Sequence, residues 1–216
     1  MHGPMGQRYI FFILGSILNA FGVAFITKGA LGTSQISSIS YVMSLQFTNV
    51  SFGTWTFLLN MIFIALQILL LKKDFKPVEL LQIVANLLFS WFIDLGMLLF
   101  GFLNPVSFPA RLLSLLVGCC ILAFGVCIEV APNVVMVPGE AIVRVLADKL
   151  HKPFGSMKVY FDVTLIAIAT ILSFIFFGRL NGVGIGTVIC ALLVGRLVNF
   201  FNKHLTFLDK IRALAA

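Results

Sequence analysis

Charge is scarce in this chain. Only 11% of its 216 residues are Asp, Glu, Lys or Arg, while 60% are hydrophobic, against roughly 25% and 45–50% in ordinary soluble domains. So little charge does not cover a water-soluble fold of this size. Metal and redox motifs are missing too. The four cysteines, Cys119, Cys120, Cys127 and Cys190, lie in apolar runs without CxxC spacing or companion histidines, so they read as small buried hydrophobes. His2, His151 and His204 stand in terminal or loop positions, and there is neither an HExxH nor a P-loop. No catalytic residue, metal or cofactor is expected, and the enzyme reading is set aside. Gly182, Gly184 and Gly186 imitate part of a dinucleotide fingerprint, but no strand precedes them and an apolar span follows. Turn geometry and close packing explain them better.

Long apolar runs are what the chain has. They lie near 9–27, 55–71, 78–102, 112–130, 159–177 and 183–201, close to the ~20 residues that cross a ~30 Å hydrocarbon layer as a helix. The expectation is an all-α polytopic membrane protein with six transmembrane helices in a single membrane domain over 1–216. The first run has no small-residue cleavage site before Lys28 and is expected to stay as a span. Stretches 34–47 and 139–150 look helical but are too short or too polar to cross. Six spans put Arg8, Lys72, Lys73, Lys76, Arg144, Lys149, Lys152, Lys158, Lys203, Lys210 and Arg212 on one side, and only Lys28, Arg111 and Arg179 on the other. That asymmetry predicts both termini in the cytoplasm. The basic excess therefore speaks of orientation in a lipid bilayer rather than of nucleic acid.

The two halves resemble each other. Phe21-Gly22-Val23 matches Phe124-Gly125-Val126, Gly15 matches Gly118, and Phe52-Gly53 matches Phe154-Gly155. The same alignment pairs Asn60 with Asp162 and, with small offsets, Asp94 with Asn199 and Gln35 with Glu140. Repeats of three spans, 9–102 and 112–203, have to enter the membrane in opposite directions. Inverted repeats recur in transporters, around a site near the bilayer midplane. Each half also has a break before its short helix, at 28–33 and 131–139. Thr33 or Ser34 is the expected N-cap of the first short helix, and Pro138 suits the first turn of the second. These helices either aim their N-termini into a shared cavity or lie flat at the two interfaces.

Ionisable groups within spans suggest function. Asp94 is flanked by apolar turns and Arg196 lies well inside the last run, while Asp162 stands one turn after Lys158, near enough to pair with it. Glu129 closes the fourth run and reads as an interfacial acid. Glu140 starts a helix, where a carboxylate suits either a ligand or the helix dipole. The candidate substrate-binding set is Thr33, Ser34, Gln35, Asn60, Asp94, Gly139, Glu140, Asp162, Arg196 and Asn199.

The stretch Lys28-Gly29-Ala30-Leu31-Gly32-Thr33, with Phe52-Gly53-Thr54-Trp55 beyond the short helix, resembles the bacterial YczE/YyaS/YitT family of membrane proteins. So does Asn181-Gly182-Val183-Gly184-Ile185-Gly186-Thr187 running into Ala191-Leu192-Leu193-Val194-Gly195-Arg196. At Ser34-Gln35 the chain departs from the family, where a proline- and tryptophan-rich segment with an acid is common. The resemblance implies a bacterial cytoplasmic-membrane protein of transporter-like outline and brings no substrate with it. The expected function is a small-molecule or ion transporter, proton- or ion-coupled, with a homodimer as a further expectation. A non-transporting scaffold and a channel are the alternatives.

Overall fold

The computed structural model describes residues 5–214, so His2 lies outside the described residues. Six helices in it are long and apolar enough to cross a membrane. They are α1 (Met5–Lys28), α3 (Phe52–Leu71), α4 (Leu81–Leu99), α5 (Phe108–Val130), α7 (Phe154–Phe177) and α8 (Ile185–His204). The short helices are α2 (Ser38–Gln46) and α6 (Pro138–Lys149), with α9 (Phe207–Ala213) at the C-terminal end. Helices α1, α3, α5 and α7 begin ahead of their apolar runs, whereas α4 is shorter than its run and α8 starts two residues later; local capping fixes several of these ends. Ser51 accepts the Thr54 N–H at the start of α3, a role suited to a hydroxyl. Pro138 occupies the first turn of α6, as expected, and left-handed Gly178 ends α7. The first short helix departs from expectation. It starts at Ser38 with Ser37 in the cap position and no side-chain cap bond, because Ser34 Oγ is committed to Ser37 Oγ at 3.0 Å.

The deepest packing in the molecule is between α1 and α5, which cross antiparallel. A Cβ on Gly15 would fall on the Glu129 backbone, and one on Gly22 would meet Leu122 Cα at 2.5 Å. In the other direction, a Cβ on Gly118 would meet the Ile26 backbone N at 2.8 Å, and one on Gly125 would land on that of Asn19. Small residues let helix backbones approach this closely in a membrane, where van der Waals packing drives association.

The remaining helices arrange around this pair. α4 packs on α1 and α8 on α5, while α2 and α6 each touch both α3 and α7. Helix α3 also lies against α4, joined by a row of polar contacts. Gln67 and Gln82 exchange amide hydrogen bonds at 3.1 and 3.2 Å, Asn60 Nδ2 donates to Asn86 Oδ1 at 2.7 Å, and the Gly53 N–H donates to Asp94 Oδ1 at 2.7 Å. Side-chain hydrogen bonds between membrane helices are worth about 0.6 kcal/mol on average, so this row sets register more than it drives association.

The loops fall on two faces. Arg8 donates to the carbonyls of Pro132 and Asn133 at 3.0 and 2.9 Å, and a cavity joins Asp74, Lys76 and Glu79 to Val134–Met136 and α6. Leu208 and Ile211 of α9 pack with Cys127 and Ile128 near the end of α5. At the opposite face, Leu31 meets Gly186 and Ser173 Oγ holds the carbonyls of Arg179 and Asn181.

Candidate functional site

Two breaks in the helical structure face each other's halves, and the chain closes them differently. At the first, Ala30 takes a left-handed φ of 56° and its N–H donates to Thr27 O. At the second, Asn133 takes φ 47° and donates to Val130 O in the same manner. Both are the third-residue return bonds that finish a helix.

The first break is sealed. Thr27 and Thr33 share a hydroxyl hydrogen bond at 2.7 Å, and the Thr33 N–H donates to Thr187 Oγ1 at 3.2 Å. The Gly186 N–H donates to Leu31 O at 2.8 Å. A Cβ on Gly184 or Gly186 would stand 2.6 or 2.7 Å from that same oxygen, so the glycine run permits backbone to lie on backbone. Gly32, at φ 125°, makes a turn that only glycine takes easily.

The second break is flanked by open space. One cavity of about 440 Å³ lies between Gln67, Gln82, Met136, Arg144 and Asp148. Another of about 400 Å³ is lined by Cys127, Val130, Asn133, Glu140, Asn202 and Arg212. Glu140 sits in the first turn of α6. The protein strips water from its carboxyl and pushes it above the usual range, with Lys158 pulling it down and Asp162 adding to the rise. A carboxyl raised in the folded state holds its proton there while the unfolded chain releases its own, so stability falls as pH rises through that window and the full penalty remains above it. Glu140→Gln is therefore expected to raise the melting temperature at neutral pH and to leave it unchanged in acid, below the ordinary carboxylate range. Thermal melts of both proteins across pH check this, at about 2–4 °C for each kcal/mol relieved.

The structure brings some candidate residues together and separates others. Thr33 and Ser34 are buried in the sealed break, and the Gln35 carbonyl accepts from Ser38 Oγ at 2.7 Å. Gly139 lies beside them, since its Cβ would rest 3.4 Å from Ile36 Cγ2; the starts of α2 and α6 thus converge. Asp162 pairs with Lys158 at 2.8 Å. Asn60 and Asp94 belong to the α3–α4 row instead, where Asp94 also accepts from Ser51 Oγ at 2.5 Å. Arg196 and Asn199 are on the exposed side of α8. The polar residue that sequence reasoning passed over is Glu129. It is 2% exposed, and its Oε2 accepts from Asn19 Nδ2 at 2.7 Å. The Ser16 hydroxyl reaches the carboxyl, but neither it nor Oε1 makes a hydrogen bond of good geometry. The glycine spacing carried the signal, because a helix end opposite Gly15 lies well inside α1.

Helices, charges and breaks together define a polytopic membrane protein with six spans. A family model described as a family of unknown function, DUF6198, matches residues 6–203, and the chain belongs to that family. It is similar to the uncharacterized membrane protein YczE of Bacillus subtilis (strain 168), 23% identical over 196 residues covering 89% of this chain and 84% of the relative. No solved structure matches it significantly.

Proposed function

We propose that this protein is a small-solute transporter of the bacterial cytoplasmic membrane, with both termini in the cytoplasm and two inverted repeats around a central site. The observation that carries the reading is the unequal state of the two breaks: one sealed by backbone contact, the other flanked by cavities. That is the outline of an inward-open transporter.

The repeat has structural support. The four glycine contacts of α1 and α5 exchange under the sequence match of the two halves, and so do left-handed Ala30 and Asn133. The last turn of α5 lies opposite Gly15, about six residues into the 9–27 apolar run of α1, or roughly 9 Å at 1.5 Å per residue. That is about a third of a ~30 Å core, which favours short helices that re-enter the membrane over helices lying flat. Thr33, Ser34, Gln35, Gly139, Glu140 and Asp162 then surround the central region, and a proton or ion gradient drives the cycle.

The scaffold reading draws on Asp94, whose bonds to the Gly53 N–H and Ser51 fasten two helices. Labelling separates the readings. Single cysteines Met136→Cys and Ser34→Cys, with the native cysteines replaced, are treated with membrane-impermeant maleimide from each side of oriented vesicles. The transporter labels Met136→Cys from the cytoplasmic side and Ser34→Cys from neither. A scaffold labels Met136→Cys at one fixed rate whatever solute is added, because the cavity is open in the resting fold, whereas a transporter's rate shifts with its solute; a channel labels both.

A further inference from the structure

We propose that Glu129 holds the coupling cation, a proton or an alkali-metal ion, in a site completed by Ser16 and Asn19 of α1. The word "coupling" rests on the transporter reading; the binding does not. Glu129 and Ser16 are each 2% exposed on facing helices; the Ser16 hydroxyl reaches the Glu129 carboxyl, but neither Glu129 Oε1 nor Ser16 Oγ makes a hydrogen bond of good geometry. Two buried oxygens this close and imperfectly bonded are costly, and a cation shared by them relieves that cost. Asn19 Nδ2 already serves Oε2 and stands one turn beyond Ser16 on the same helix, so the carboxyl is held with its free oxygen available. A proton on Oε1 turns an orphaned acceptor into a donor. An alkali ion instead takes Oε1 and Ser16 Oγ as oxygen ligands.

Packing does not require an acid here. The matching crossing in the other half sets Gly118 against Ile26 where this one sets Gly15 against Glu129. The same close approach is thus made with an isoleucine, which leaves the carboxyl to be explained by a ligand. A cavity lies close by in the chain. Val130 and Ala131, the next residues along the chain, line the 400 Å³ cavity that also contains Asn133 and Glu140. The charged groups around this region are Glu140 of α6, Lys158 and Asp162 of α7, Arg212 of α9, and Arg8 on the carbonyls of Pro132 and Asn133.

The test melts the full chain in lipid nanodiscs at fixed ionic strength, in choline chloride with and without NaCl, across pH. Wild type is compared with Glu129→Gln and Ser16→Ala. In the alkali-ion case NaCl raises the melting temperature by roughly 5–10 °C at one hundred times its dissociation constant; Ser16→Ala weakens the Na+ midpoint about tenfold. In the proton case NaCl does nothing, and wild type shows, beside the Glu140 band, a second titrating protonated-carboxyl band in infrared difference spectra that Ser16→Ala moves. Glu129→Gln erases whichever response wild type shows. Should Glu129→Gln not fold, the Ser16→Ala result decides. A wild type that responds to neither ion, or a response that survives Glu129→Gln or is untouched by Ser16→Ala, overturns the proposal. Binding is read at equilibrium, so this outcome is independent of the maleimide pattern that tests transport.

Discussion

Alanine at Gly125 is expected to lower the melting temperature by about 2–12 °C, and leucine there to leave no folded protein. A Cβ at Gly125 would fall on the backbone of Asn19, and at Gly22 within 2.5 Å of the Leu122 backbone. Neither obstacle is the end of a flexible side chain, so α1 and α5 have to part. Forcing one extra carbon into a filled interface costs about 1–3 kcal/mol, and each kcal/mol moves the melting temperature by about 2–4 °C in a protein of this size. Gly22→Ala is expected to match Gly125→Ala, because the two positions are equivalent in the crossing. The control is Gly195, inside α8 with nothing within 4 Å of its Cβ. Alanine there is expected to hold or slightly raise the melting temperature, as alanine usually does in a helix. Thermal melts of the three variants in one detergent check the set. Equal losses at Gly195 and Gly125 would show that glycine matters here for backbone freedom and not for close approach.

The spans were legible because the membrane imposes a length on apolar runs, and charge sorted their ends. The glycines of α1 and α5 were legible as matched positions of the two halves, but nothing in a single helix names its partner. That is why Glu129 read as an interfacial acid: it stands at the end of its own apolar run, and only the register against Gly15 places it deep. Asp94 failed in the opposite sense. Its apolar neighbours along the chain made it look like a functional acid, while across the helix pair it meets the Gly53 N–H and Ser51. Asn60 follows the same logic, held by Asn86. For the first short helix, the chain offers several hydroxyls in a row, Thr33, Ser34, Ser37 and Ser38. Which one precedes the helix depends on Thr187 and Leu31 contacts from distant parts of the sequence. Local spacing carries no record of those.

Valine at Gly186 is expected to exchange the accessibility of the two breaks. The Gly186 N–H holds Leu31 O at 2.8 Å, and a Cβ there would stand 2.7 Å from that oxygen and 2.9 Å from its carbon. The valine side chain therefore pushes the start of α8 off the first break and removes what seals it. If the protein alternates between two arrangements, a bias of 1–2 kcal/mol shifts their ratio by about 5- to 30-fold. Ser34→Cys in the Gly186→Val background should then gain maleimide labelling from outside, while Met136→Cys loses labelling from the cytoplasm by a similar factor. The reciprocity is the informative part. A local loosening of the glycine run also exposes Ser34, but it leaves the 440 Å³ cavity beside Met136 as open as before. Opening at one break with no closure at the other would mean that the breaks are independent, and the alternating-access reading would fall with it. Closure at Met136 requires α6 to move against α3 and α4, the helices that line that cavity with it. The contact that has to give first is the Gln67 amide on Pro138 O, at 3.3 Å the longest of the bonds made by the Gln67–Gln82 pair.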